Sequence, residues 1–111
     1  MNVVIIKYKA GDIYSVDYGL KRLGITPLIT DDLESNQKAE KVIFPGQGEA
    51  STTRQYLQER KLDRIIKELK QTGLGICIGM QVMCSHSEEG NTQCLGIFDA
   101  EVKRFIPERH E

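Results

Sequence analysis

Tryptophan is absent from this chain of 111 residues, and the other aromatics amount to four tyrosines and three phenylalanines. So sparse a set offers no platform on which nucleic-acid bases could stack. Charge of neither sign prevails, with 15 Lys and Arg against 16 Asp and Glu. That balance excludes the basic stripe of a nucleic-acid grip and the polybasic anchor of a membrane-surface protein. No apolar run approaches the ~20 residues of a membrane-spanning helix. The opening run Val3-Val4-Ile5-Ile6 is too short for a signal-peptide core and reads as a strand, so the cytoplasm is the expected location. Cysteine is scarce as well. Cys77, Cys84 and Cys94 are odd in number and follow no disulfide-rich pattern, so free thiols are expected. No Cys/His spacing matches a zinc site, and neither a metal nor another cofactor is expected.

What is present is an alternation of β-like and helix-like segments. A chain of this size makes one domain and buries roughly 65% of its unfolded surface. The apolar run over 2–7 has the character of a strand buried on both faces, and Gly11 and Asp12 then punctuate the chain. Ile13, Val16, Leu20 and Leu23 recur at helical spacing, and Gly24 stands where a helix-ending glycine belongs. Strands are predicted over 25–30, 41–44 and 73–77, with a turn at Thr30-Asp31-Asp32. Residues 49–69 predict a helix broken near Arg60-Lys61, whose second part turns Leu62, Ile65, Ile66 and Leu69 to one side. Its Arg, Lys, Glu and Asp residues read as a solvated face with pairs four apart. A further helix is predicted over 79–86, a polar loop over 87–92, and strand-like runs over 94–98 and 101–106. Strand and helix in alternation with short links specify an α/β domain with a mainly parallel sheet.

Two segments carry chemistry. Gly75-Ile76-Cys77-Ile78-Gly79 lies between a short strand and a helix, the context of a nucleophile elbow with Cys in place of Ser. The nucleophile of an elbow sits on a strained turn, and the residues two before and two after it must lack a Cβ so that strand and helix can approach. A helix N-terminus also favours the thiolate, the reactive form of a cysteine. The bland counterpart is an inert cysteine beside a glycine turn. The second segment is Pro45-Gly46-Gln47-Gly48, directly after the third strand. In an open α/β sheet, adjacent strand ends gather at one crevice, and glycines there let backbone N–H groups meet a developing oxyanion. A plain strand-to-helix turn is the alternative.

Taken together, Gly75-Ile76-Cys77-Ile78-Gly79-Met80-Gln81 resembles the G-x-C-x-G-x-Q nucleophile segment of class I, triad-type glutamine amidotransferases. Within that class, Phe44-Pro45-Gly46-Gln47-Gly48-Glu49-Ala50-Ser51 and Met83-Cys84-Ser85-His86-Ser87-Glu88-Glu89-Gly90 are similar to the glutaminase subunits of imidazole glycerol phosphate synthase, along with the opening strand and Leu95-Gly96-Ile97-Phe98. The resemblance implies a flavodoxin-like three-layer sandwich, of which residues 1–111 would be the N-terminal portion of a single domain. It implies that Cys77 attacks the side-chain amide of glutamine, that the backbone N–H groups of Gln47 and Ile78 hold the oxyanion, and that Gly46, Gly48 and Gln81 contact the substrate. It implies a cyclase subunit, a (β/α)₈ barrel, as protein partner and recipient of the ammonia, with no nucleic acid and no membrane involved. A cysteine-elbow protein of another family, such as a thiol hydrolase or stress protein, and a non-catalytic folded fragment are the competing readings.

The family's catalytic His and Glu belong to a downstream H-P-E motif beyond these residues, so the chain is expected to be truncated and incompetent alone. His86-Ser87-Glu88 copies only the spacing: on a helix over 79–86, His86 would lie about 13 Å along the axis from Cys77, far beyond a hydrogen bond near ~3 Å. His86 is expected as a solvated helix-end residue and His110 as part of a frayed terminus. A sheet without its later strands leaves an edge and an apolar face uncovered, so self-association or dependence on a complementary segment is expected.

Overall fold

The computed structural model describes residues 2–7, 13–46 and 49–106. Gly11, Asp12, Gln47, Gly48 and His110 therefore lie outside the described residues. Four strands form one sheet: β1 (Val3–Ile6), β2 (Leu28–Thr30), β3 (Lys41–Phe44) and β4 (Thr72–Gly75). They run parallel in the order β2-β1-β3-β4, with Val4 opposite Leu28 and Val42, and Ile43 opposite Leu74. That order is the flavodoxin-like winding as far as it extends, and it places the switch between β1 and β3.

Side chains alternate across the strands, so one sheet feeds two cores. Val4, Ile6, Val42 and Phe44 join Leu57, Leu62, Ile65, Ile66, Ile78 and Val82. These partners come from α3 (Ala50–Glu59), α4 (Leu62–Glu68) and α5 (Ile78–Met83). Val3, Ile5 and Ile43 pack with Ile13, Val16 and Leu20 of α1 (Ile13–Arg22), and with Ile25 and Ile29. The central strand β1 is buried throughout, as its unbroken apolar sequence requires. Helix ends follow local chemistry. Gly24, at φ 82, closes α1 by donating to Lys21 O while Ile25 N donates to Leu20 O. Lys61, left-handed at φ 59, separates α3 from α4 where the sequence predicts the break.

Several expectations need correction. The strand predicted over 25–30 is confined to Leu28–Thr30, and that over 73–77 to Thr72–Gly75. The Thr30-Asp31-Asp32 turn opens a helix that periodicity does not reveal, α2 (Leu33–Lys38). It forms because the Asp32 carboxylate accepts from Ser35 N and Oγ, and because the buried Asn36 donates Nδ2 to Asp32 O at 2.6 Å. The helix predicted over 79–86 ends at Met83, and His86 sits instead in β5 (His86–Ser87). That strand pairs antiparallel with β6 (Thr92–Gln93) and parallel with β7 (Glu101–Val102), so the predicted loop 87–92 is partly strand and 101–106 only briefly one. Residues 94–98 form no strand. Their amides satisfy the open carbonyls at the end of α5: Leu95 N donates to Val82 O, Phe98 N to Met83 O and Gly96 N to Cys84 O. Among the described residues no helix is long and apolar enough to cross a membrane.

The edge and face that the sequence predicts to be uncovered are visible. Among the described residues β4 pairs on one side only. Leu74, beside Ile43 on the α1 face, is 56% exposed.

Candidate functional site at the end of strand β4

Strand β4 stops at Gly75, and two residues later the chain enters α5. Cys77 makes the junction with φ 56 and ψ −120, a backbone region that side chains other than glycine rarely occupy. The turn is held from three directions: Ile76 N donates to Phe44 O at 3.0 Å, Gly79 N to Ile76 O at 2.9 Å, and Gln81 N to Cys77 O at 3.0 Å. The thiol is exposed.

The flanking glycines are sterically required. A Cβ on Gly79 would stand 2.0 Å from Phe44 O and 2.8 Å from Phe44 C, and one on Gly75 would stand 2.8 Å from Met80 Cα. Backbone atoms cannot yield to such an approach, so only glycine lets α5 rest on the end of β3. The contact also brings the elbow to the second motif, since Pro45 O would lie 3.1 Å from a Cβ on Gly79. The structure therefore brings the elbow, through Gly79, against Phe44 and Pro45, directly before the buried Gly46 in the chain. Ile78 is the first residue of α5, a position whose amide has no partner within its helix. Gln47 and Gly48, the other expected members of this segment, fall outside the described residues.

Gln81 is half-buried one turn along α5 and lines an open cleft of about 530 Å³ with Glu88, Glu89, Lys103 and Arg104. Carboxylates and cations face the same space, beside Val102 and Phe105. Cys77 does not line this cleft; Gln81 links the two through its amide on Cys77 O. Sequence reasoning assigned no role to Glu89, Lys103 or Arg104. Glu89 stands in the sequence only as a member of the Met83-to-Gly90 run.

His86 is not a helix-end residue. Its Nε2 lies 2.9 Å from Asn91 Oδ1, and its buried Nδ1 lies 3.7 Å from Glu101 Oε1. Both ring nitrogens thus face groups of the β5–β7 unit. The remaining cysteines are free: Cys94 is buried and Cys84 half-buried. Burial pushes the Cys94 thiol up, aided by the nearby Cys84. Sequence spacing gives no reason for Cys94 to approach the other two. Yet Cys94 N donates to Ser85 O and Gly96 N to Cys84 O, so its segment runs beside Cys84. Of the expected helix-face pairs, Arg64–Glu68 spans four residues at 3.8 Å, whereas Arg54 reaches across to Asp63 at 3.3 Å and joins α3 to α4.

No family model matches the chain. Over all 111 residues it is 62% identical to imidazole glycerol phosphate synthase subunit HisH of Bacteroides fragilis strain YCH46, of which it spans 57%. It is 59% identical to subunit HisH of Bacteroides thetaiotaomicron, again over 57% of that protein. With subunit HisH of Idiomarina loihiensis it shares 45% identity over 105 residues, which is 95% of the chain and 54% of the relative. The chain thus spans little more than half the length of the curated relatives it matches.

Proposed function

We propose, from the premise that the chain belongs to the family of imidazole glycerol phosphate synthase subunit HisH, that it carries the nucleophile half of a glutaminase active site. Cys77, as thiolate, attacks the side-chain amide carbon of glutamine. The tetrahedral oxyanion is held by the N–H of Ile78 and by an N–H of the 46–48 segment, contributed by Gln47. Gly46, Gly48 and Gln81 contact the substrate, and the charged cleft beside Gln81 receives its amino-acid end. The C–N bond breaks as nitrogen gains a proton, ammonia leaves and a thioester remains. Water then cleaves the thioester to glutamate and restores the thiol. The ammonia passes to a partner cyclase subunit, a (β/α)₈ barrel, for histidine biosynthesis in the cytoplasm, within a single amidotransferase domain to which residues 1–111 belong.

One observation carries this reading: Cys77 occupies a glycine-type backbone conformation between two glycines at which no Cβ fits, the second of them against Phe44 and Pro45. The packing of α5 on β3 does not need a thiol at residue 77, which is exposed. The proton-transfer base is not His86, whose nitrogens face Asn91 and Glu101. Residues 1–111 alone are therefore expected to present a reactive thiol without turning over glutamine. A glutamine-like chloroketone should alkylate Cys77 at least about tenfold faster than Cys84 or Cys94. Peptide mapping by mass spectrometry reads this. Equal labelling of the three cysteines would overturn the proposal, as would glutamate release by the whole protein that survives Cys77→Ala.

A further inference from the structure

Two of the three thiols have no part in the glutaminase reading, and the chain folds them together. Where α5 ends, Gly96 N donates to Cys84 O at 2.8 Å and Cys94 N to Ser85 O at 3.0 Å. The antiparallel pairing of β5 with β6 sets His86 opposite Gln93. One step further in that register, Ser85 stands opposite Cys94, and Cys84 is its immediate neighbour. Residues one step off register across an antiparallel pair are about 6 Å apart at Cα. A disulfide bridges about 4.4–6.8 Å. Strict strand alternation would turn the two side chains apart. Cys84 escapes that alternation because it is the C-cap of α5, and its Sγ reaches back to Met80 O at 3.8 Å. Cys94 is 5% exposed, with its Sγ bonded only weakly, to Thr92 O at 3.6 Å. Burial pushes the Cys94 thiol up, and Cys84 is close enough to push it further.

We propose that Cys84 and Cys94 are a redox pair: on meeting a peroxide they form a reversible disulfide that locks the β5–β6 hairpin to the end of α5. This goes beyond the glutaminase reading and does not need it. Cys84 is half-buried and Cys94 buried, so Cys84 is the thiol that an oxidant in solution reaches. As thiolate, Cys84 attacks one peroxide oxygen. The O–O bond breaks, hydroxide leaves and a sulfenic acid remains. The Cys94 sulfur then attacks the Cys84 sulfur, the S–S bond forms and the S–O bond breaks. The departing hydroxide carries off the Cys94 proton as water, so a protonated Cys94 suits this second step. A dithiol reductant restores both thiols. The bond closes a ring through residues 85–93, which holds β5, β6 and the turn that brings Glu88 and Glu89 to the cleft wall.

The test treats the protein with hydrogen peroxide and maps its peptides without reduction, by mass spectrometry. Cys77→Ala is run beside the parent, because the exposed Cys77 competes for oxidant. A peptide linking Cys84 to Cys94 should be the main disulfide product in both, and dithiothreitol should remove it. In Cys94→Ala, Cys84 has no resolving partner and should reach the sulfinic acid at least about threefold more than in the parent. Oxidation of the parent should slow hydrogen exchange of the Leu95 and Gly96 amides about threefold or more. A parent whose Cys84 passes to the sulfinic acid as readily as in Cys94→Ala would overturn the proposal. A product that links Cys77 to Cys84 instead would also overturn it. Unchanged Leu95 and Gly96 exchange in the linked protein would show that the bond locks nothing.

Discussion

On one face of the parallel sheet, Val4, Ile6, Val42 and Phe44 meet three helices, and Leu57, Leu62 and Val82 close over them with 1% exposure or less. On the other face, Val3, Ile5 and Ile43 are covered by α1, while Leu74 remains 56% exposed. A groove of about 370 Å³, lined by Val3, Leu20, Ile25, Ile43 and Leu74, runs between them. Both faces come from the same four strands, so the difference lies in what is packed on them. The helix that starts at Cys77 belongs to the covered face, through Ile78 and Val82. The geometry around the thiol is therefore backed by the better-filled core, and a defect there should cost far more than one on the open side.

The sharpest break of that contrast is Gly79→Ala. With Phe44 O at 2.0 Å from the added carbon, α5 cannot stay on β3. A loss of about 4 kcal/mol or more, or failure to fold, is expected in denaturant titration. Leu57→Ala empties a fully buried site on the same face and should cost about 3 kcal/mol, read as a lower denaturant midpoint. Leu74→Lys on the open face should change stability by less than about 0.5 kcal/mol. It should also reduce self-association, so identical sedimentation of parent and variant would show that the exposed leucine drives no contact. The smallest effects are electrostatic. The Cys94 thiol is pushed up by burial, so its contribution to stability is present while the unfolded thiol is protonated and is lost as pH rises through its folded range. Cys94→Ala should flatten that alkaline decline in a thermal-melt series. Asp32, held low by the Ser35 backbone N–H, behaves in the opposite sense: its contribution is present at neutral pH and is lost as acid protonates the folded carboxylate. Asp32→Ala should remove that acid sensitivity.

Strands β1 and β3 are legible as unbroken apolar runs, and helices α1 and α4 as apolar residues at helical spacing, because each turns side chains into a filled core. The sequence gives α2 no such period: Leu33–Lys38 has a single apolar residue, and the helix depends on the Asp32 cap and the buried amide of Asn36. The end of α5 was equally hidden. Nothing in Met83-Cys84-Ser85-His86 carries a glycine or proline stop, and the helix halts because residues 95–98 arrive from further along the chain to take its carbonyls. At the site, the elbow was readable from two glycines flanking a cysteine, since steric exclusion leaves a mark on composition. The bond from Ala50 N to Glu89 Oε1, which caps the start of α3, left no such mark, because any acceptor brought there by the fold would serve.

The torsions at Cys77 have one more consequence. At φ 56 and ψ −120, a residue bearing a Cβ holds its backbone in a conformation costing roughly 1–3 kcal/mol. For folding alone, glycine would be the better choice at this position. Cys77→Gly should therefore melt at a higher temperature than Cys77→Ala, and higher than the parent as well, while presenting nothing to an electrophile. Any search for thermostable variants that ignores activity would thus be drawn toward erasing the thiol, and residue 77 would mark the place where durability and reactivity select opposite residues.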